Sequence, residues 1–436
     1  MDDLIRHPLA HARIERGWSQ PELARQIRQA ALQRRLRSGV DRARIWIWEN
    51  NRATPDDYSQ MLLADVFEIA QSLVAVLGWP HWLPGRDNSI PLGPHSTVPA
   101  LREVLRASMD RRTFVAFSSA ALVGLAQQWA TTEPQPLAAA LDGKPVDAEL
   151  VDLLEATGNK LTGLVTEQRR HTRTLLDAHL TTVTDIIEGH NYTEPVGRRL
   201  HILAARMSTT VGWHRFDQGK HAAAGRFWHG ALHSAHASGD RDLGAGIMSD
   251  LAYQATWLKD PTTAAEILEN AVARTRHPTA RSLLHLRLAR AQAALGEAHA
   301  CHRSLATAEQ ELSMSAGEPP AWCLWMSHAD LLVDSGQCLR DLGQPERGHQ
   351  LIGEGVKLLP DARKKTSAVF LSYDAASLLQ AGQVDQAAAT AHESLLLAQQ
   401  IGAPRCVALI RDMLPGFAKH AGAERVDELL ELARTG

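Results

Sequence analysis

Cysteine is scarce in this chain of 436 residues. Cys301, Cys323, Cys338 and Cys406 are the four present, and no two form a CxxC pair. That spacing excludes a disulfide scaffold and a thiolate-rich zinc site, and it suits a reducing compartment. An excess of either charge is missing too: 22% of the residues are charged and the formal net charge is -3. No polybasic surface can cover the whole protein, so any nucleic-acid site must be local. The opening residues MDDLIRHPLA lack the basic start and apolar run of a signal peptide. The run VAFSSAALVGLA follows Arg111-Arg112-Thr113-Phe114 in the manner of a twin-arginine export signal, but more than a hundred residues precede it. It is also shorter than the ~20 residues a bilayer span needs, and it reads as a small-residue helix packed inside the protein. There is no P-loop, HExxH, GxSxG or Rossmann glycine pattern, and Gly353-Glu354-Gly355 is too short to cradle phosphates. The expectation is a cytoplasmic protein that is not an enzyme, holds no cofactor or metal, and has no membrane segment.

What is present starts with length. A chain of 436 residues exceeds one ordinary core, and 44% hydrophobic content argues against disorder, so several domains or a repeat array are expected. Residues 9–27, LAHARIERGWSQPELARQI, predict one helix before Gly17 and a second after Ser19. Ser19 and Glu22 have capping-box spacing, Pro21 fits a first helical turn, and Leu23 and Ile27 make one buried face. Asp41 can cap a further short helix that buries Ile45 and Trp48 and directs Arg42, Arg44 and Trp46 elsewhere, with Asn50 and Asn51 suiting its stop. Between residues 10 and 52 ten arginines face four acids, a local charge of +6. A basic module on an acidic body is the electrostatic footprint of a DNA-binding head, although such arginines also occur on merely solvated helix faces.

Gly17-Trp18-Ser19-Gln20-Pro21-Glu22-Leu23-Ala24, followed by Ile45, Trp48-Glu49, Arg52 and Pro55, resembles the lambda-repressor-like (XRE-like) helix-turn-helix domain. The resemblance implies that Gln20 contacts phosphate, that Arg42, Ala43, Arg44 and Trp46 read bases, and that Leu23, Ala24, Ile45 and Trp48 are structural. Arg52 belongs to the same DNA-facing set. Residues 28–40, RQAALQRRLRSGV, make the separation of the second and third helices longer than the family's usual one. Their Arg34, Arg35 and Arg37 are read two ways, as a wing on phosphates or as an exposed helix face. The head is expected to end near residue 79, with a proline- and glycine-containing linker at 80–98 and bridging helices at 99–198.

From about residue 199 an internal repeat emerges. With anchors at Gly219, Lys259, Gly296, Gly343 and Gly382, small residues recur seven positions before, as Gly212, Ala252, Ala289, Gly336 and Ala375. They recur five after, as Ala224, Ala264, Cys301, Gly348 and Ala387, and twelve after, as Ala231, Ala271, Ala308, Gly355 and Ser394. Small side chains there let antiparallel helices approach closely. With spacings of 37 to 47 residues, the array resembles a tetratricopeptide (TPR) repeat with longer loops or helices.

The order of features over nearly the whole chain resembles actinobacterial XRE-like regulators with C-terminal tetratricopeptide repeats. That implies an all-α protein, with a helix-turn-helix domain at 1–79 and a TPR-like solenoid at 199–436. It further implies a sequence-specific transcriptional regulator on double-stranded operator DNA, placed on the nucleoid when bound and expected to be a homodimer. The repeat domain would sense a signalling peptide, a small molecule or a protein partner. The other functional class is an interaction scaffold with a degenerate helix-turn-helix domain. The concave groove is expected at Trp213, Tyr253, Arg290 and Gln337, six before the anchors, and at Thr209 and Ser249, ten before, with Arg206 and Asp330 added from the preceding turn. Trp213, Trp257, Trp322 and Trp325 stand open between ligand groove and core. His229, His233 and His236, with His221 upstream, have metal-ligand spacing on one helix but no completing acid or thiol, and are read as surface or packing residues.

Overall fold

In the computed structural model the chain is built of α-helices, and no strand occurs among the described residues. Those residues are 8–50, 52–67, 71, 74, 79, 83, 89–93, 96–109, 117, 119–134, 145–164, 166–315 and 317–435. The Arg111-Arg112-Thr113-Phe114 segment lies outside them, as does most of the 80–98 linker's first half. No helix among them is long and apolar enough to cross a membrane.

The head contains α1 (Pro8–Glu15), α2 (Gln20–Gln33), α3 (Arg42–Glu49) and α4 (Asp57–Phe67). Ser19 Oγ accepts from the Glu22 backbone N–H at 3.3 Å, and Glu22 accepts from the Ser19 N–H at 2.7 Å, a closed capping box ahead of α2. Asp41 accepts from the Arg44 N–H at 2.9 Å and starts α3. Leu23, Ile27, Ile45, Trp48, Leu62 and Phe67 meet in the head's core. Residues 28–33 of the longer segment simply extend α2, after which 34–41 is non-helical. Arg35 sits there in the left-handed region (φ +60). Arg28 donates to the Val40 carbonyl at 2.8 Å and ties this turn to α2.

Behind the head, α5 (Thr97–Met109), α6 (Ser119–Thr131), α7 (Ala148–Thr162) and α8 (Thr166–Glu188) precede a run of antiparallel pairs. The pairs are α9 (Glu194–Asp217) with α10 (His221–Ser238), α11 (Arg241–Trp257) with α12 (Pro261–Val272), and α13 (Pro278–Ala294) with α14 (Ala298–Ser313). Then come α15 (His328–Asp341) with α16 (Pro345–Leu358), α17 (Lys364–Gln380) with α18 (Val384–Ile401), and finally α19 (Pro404–Phe417) and α20 (Glu424–Thr435). All five anchors of the repeat adopt positive φ, +66 at Lys259 and +72 to +81 at the glycines. This left-handed turn lets one helix end and the next start antiparallel within a few residues. The fifteen small seam residues are all buried. At Gly336 and Gly348 the two backbones meet: a Cβ on either would lie 2.6 Å from the other's carbonyl oxygen. The longest anchor spacing, 47 residues, comes from an insertion after α14 that carries a 3-10 turn (Ala321–Cys323) and lays Trp322 on Gly246 of α11.

The 99–198 region does more than bridge. Helix α5 packs on α10 and α8, α6 packs on α12, and α7 and α8 form another pair stacked on α9. Two second helices of the array are thereby covered by a third layer. The linker's described end is pinned to the same place. The Ile90 carbonyl lies 2.9 Å from His233 Nε2 and 3.2 Å from His229 Nε2, Ser96 Oγ is 2.7 Å from His233 Nδ1, and Leu92 enters the core beside Trp129 and Trp228. His229, His233 and His236 are therefore buried packing residues.

Candidate functional site

On the head, α3 turns Ile45 and Trp48 inward and leaves Arg42, Ala43, Arg44 and Trp46 exposed. The Arg52 guanidinium lies 4.6 Å from the centre of the Trp46 ring, covering one face of an otherwise exposed indole. Glu49, at the end of α3, accepts from Arg13 Nε at 2.7 Å and from Gln20 Nε2 at 2.6 Å. Gln20 thus has an intramolecular partner and locks the start of α2 to the end of α3. Arg34 is engaged by Asp65 of α4, with Nη2 2.7 Å from Oδ1. Arg35 is exposed on the 34–41 turn.

In the array, the first helices of the pairs converge on a charged interior. Arg287 donates to Ser249 and Asp250, both at 2.9 Å, and Trp213 Nε1 donates to the other Asp250 oxygen at 2.8 Å. Arg290 donates to Asp334 at 2.6 Å. The far end of the array returns to its start: Lys365, at the beginning of α17, and Arg405, at the beginning of α19, both pair with Asp217 at the end of α9. Arg405 also donates to the Tyr253 hydroxyl at 2.9 Å and lies over the rings of Phe216 and Trp257. These contacts span 148 to 188 positions of sequence and tie the end of the array to its start.

A cavity of about 700 Å³ opens beside this network. Tyr253, Arg287, Arg290, Asp334 and Tyr373 line it, Gln337 and Ser372 add polar groups, and Trp257, Leu409 and Met413 add apolar surface. Burial pushes the carboxyls of Asp250 and Asp334 up, against the pull of Arg287 and Arg290 respectively. Burial likewise pushes the Tyr373 phenol up. Tyr253 behaves oppositely: burial opposes its ionisation, yet Arg405, a hydrogen bond with Tyr373, and Arg290 hold its phenol below the ordinary value.

Of the residues expected in the groove, Tyr253, Arg290 and Gln337 line the cavity. Trp213 and Ser249 are in the hydrogen-bonded network next to it. Asp330 instead closes the capping box of α15, accepting from Ser327 and pairing with Arg363. Arg206 is exposed and Thr209 bonds its own helix, and neither lines the cavity. Trp257 lines it, whereas Trp322 packs on Gly246 and Trp325 is partly exposed. The frame held a signal for what was missed. Nine positions before four of the anchors stand Asp250, Arg287, Asp334 and Tyr373, one helical turn from the row six before. Among the described residues no group of three His, Cys, Asp or Glu side chains is placed to hold a metal ion.

No protein-family model matches the chain, and no curated protein matches it by sequence.

Proposed function

We propose that the chain is a sequence-specific DNA-binding transcriptional regulator that acts as a homodimer. In this reading α2 and α3 are a lambda-repressor-like helix-turn-helix, and the pairs from α9 onward are a TPR-like array whose cavity takes an effector. One observation carries the reading. Helix α3 presents Arg42, Ala43, Arg44 and Trp46 to solvent while its opposite face is anchored by buried Ile45 and Trp48 and its end by Glu49. A helix that reads bases in the major groove needs that combination of a rigid seat and donors left unpaired until DNA arrives. Among the described residues no carboxylate forms an ion pair with Arg35, Arg42 or Arg44.

The effector part of the reading is supported by the cavity of mixed polar and aromatic lining, a composition suited to small molecules rather than nucleic acid. An effector acts only if it prefers one arrangement of the two heads over another, because equal binding to both shifts nothing.

The test is selection of genomic DNA fragments by the purified protein at low and moderate salt, repeated with Arg42→Ala and Arg44→Ala. A protected site whose preference over competitor DNA weakens by roughly 1–3 kcal/mol in each variant supports the reading. No enriched site, or unchanged discrimination in both variants, refutes it.

A further inference from the structure

In a stacked array each inner pair of helices is covered by a neighbour on both sides. The α7–α8 pair is the first of the stack and has its neighbour, α9, on one side. Val151, Leu154 and Gly158 of α7 are buried, and a Cβ at Gly158 would come 2.7 Å from the Leu203 side chain of α9. The outer face of an end pair has to be polar if it is to meet water. Here, however, Leu150 is 42%, Leu153 63% and Leu175 59% exposed. Leu153 and Leu175 stand eleven positions before and after Leu164 in the turn, so they lie level along the pair, as do Leu150 and the exposed Ala178. At the other end of the array, among the described residues, no large hydrophobic side chain of α19 or α20 is exposed.

The outer row of α7 is Glu149, Leu153, Ala156 and Lys160, all exposed and spaced by four, three and four positions on one face. Its midpoint falls between Leu153 and Ala156, with Glu149 and Lys160 equally far on either side. Turned end to end against itself, the row therefore sets a large side chain against a small one and an acid against a base. The other acids of the helix, Asp152 and Glu155, are held by Arg199 of α9. Among the described residues neither Glu149 nor Lys160 has an ion-pair partner.

We propose that the outer face of the α7–α8 pair docks on the same face of a second copy of this chain. The two α7 helices then lie antiparallel across a two-fold axis, with Glu149 of each copy opposite Lys160 of the other and Leu153 opposite Ala156. A contact of this kind is isologous and closes at two chains. The inference rests on the homodimer reading and names the surface that makes the dimer. Two helices side by side, the shorter about 22 Å long and the pair about 20 Å wide, offer roughly 450 Å² per copy. Two such faces bury about 900 Å², just under the ~1,000 Å² of a stable specific interface, so the dimer is concentration-dependent. Two heads on one operator reinforce it, because the second contact is then intramolecular.

The experiment is sedimentation equilibrium of the full chain, free and with the DNA fragment it selects, using variants at exposed positions. Leu153→Glu puts a charge at the centre of the contact and is expected to weaken self-association by about tenfold or more. Glu149→Lys and Lys160→Glu each turn two attractive pairs of the two-fold contact into repulsive ones, and each weakens it by about tenfold. Both reversals together restore the affinity to within about threefold. Glu149 and Lys160 also suit the dipole of their own helix, so both reversals lower the stability of the single chain. Recovery of association in the double variant comes only from pairing between copies. Circular dichroism checks the fold, and the charge series decides alone if Leu153→Glu does not fold. Dimers of unaltered strength in every folded variant, or a double reversal weaker than either single one, overturn this interface and leave the homodimer reading standing. A chain that is monomeric both free and on DNA overturns the homodimer reading, and this inference with it.

Discussion

Helix α16 holds a built-in comparison between two glycines. At Gly353 an added Cβ meets nothing within 4 Å, whereas at Gly348 it lies 2.6 Å from the Gly336 carbonyl oxygen and 3.3 Å from the Arg340 backbone nitrogen. Alanine at either place gains about 0.5–1 kcal/mol of helix preference over glycine. At Gly348 that gain meets an overlap of nearly 1 Å with the backbone of α15, which no rotamer change relieves, and overpacking of a close seam costs about 1–3 kcal/mol. Gly353→Ala is therefore expected to stabilise by about 0.5–1 kcal/mol, and Gly348→Ala to destabilise by about 1–2 kcal/mol. Their difference isolates the seam, since the propensity change is common to both. Urea unfolding gives the two midpoints, and native-state hydrogen exchange in α15 and α16 localises the change, because a repeat array need not unfold in one step. Two variants of equal stability to within about 0.5 kcal/mol would refute the idea that this contact sets the spacing of the pair.

Buried neutral histidines make stability pH-dependent. Burial holds His233 down to about 3 and His201 and His236 to about 4. The unfolded chain binds these protons first, so their contribution is complete above about pH 6.5 and is lost toward pH 4, with a limiting slope of about 4 kcal/mol per pH unit for the three together. In denaturant titrations His236→Gln reduces that slope by about a third, and an unchanged slope would show that His236 does not titrate on unfolding. Lys259 is the one anchor that is not glycine and sits at φ +66. Lys259→Gly is expected to be neutral or to stabilise by up to about 1 kcal/mol, while Gly296→Lys destabilises by about 1 kcal/mol; thermal melts that reverse the order reject strain at this turn. Two heads are needed to read half-sites about 34–36 Å apart, so sedimentation of the operator complex should give two chains per site, and a strictly monomeric complex rejects the dimer.

The elements of this protein were legible because their signals are local. A serine with glutamate three positions on, an aspartate ahead of Arg42, and a glycine or lysine at each left-handed turn act within one helical turn of themselves. The small-residue seams were legible for a related reason: close helix approach tolerates few side chains, so the constraint repeats at a fixed spacing. The charged interior was not. Asp250, Arg287 and Asp334 occupy helix positions where a charge is equally at home in water, and the pattern of apolar residues is silent about them. They become a site only because Asp217 is met by Lys365 and Arg405, 148 and 188 positions away, which leaves each charge to find its partner in protein. The histidines of α10 behave alike, read as surface or packing until α5 and the strap at Ile90 cover them. On the head a long-range contact decides in a different way: Arg34, read either as a phosphate contact or as part of an exposed face, stays exposed and pairs with Asp65 of α4. Local sequence encodes which backbone conformations and close contacts are tolerated. Which charges lose their water depends on segments far apart in the chain, and only the tertiary structure decides that.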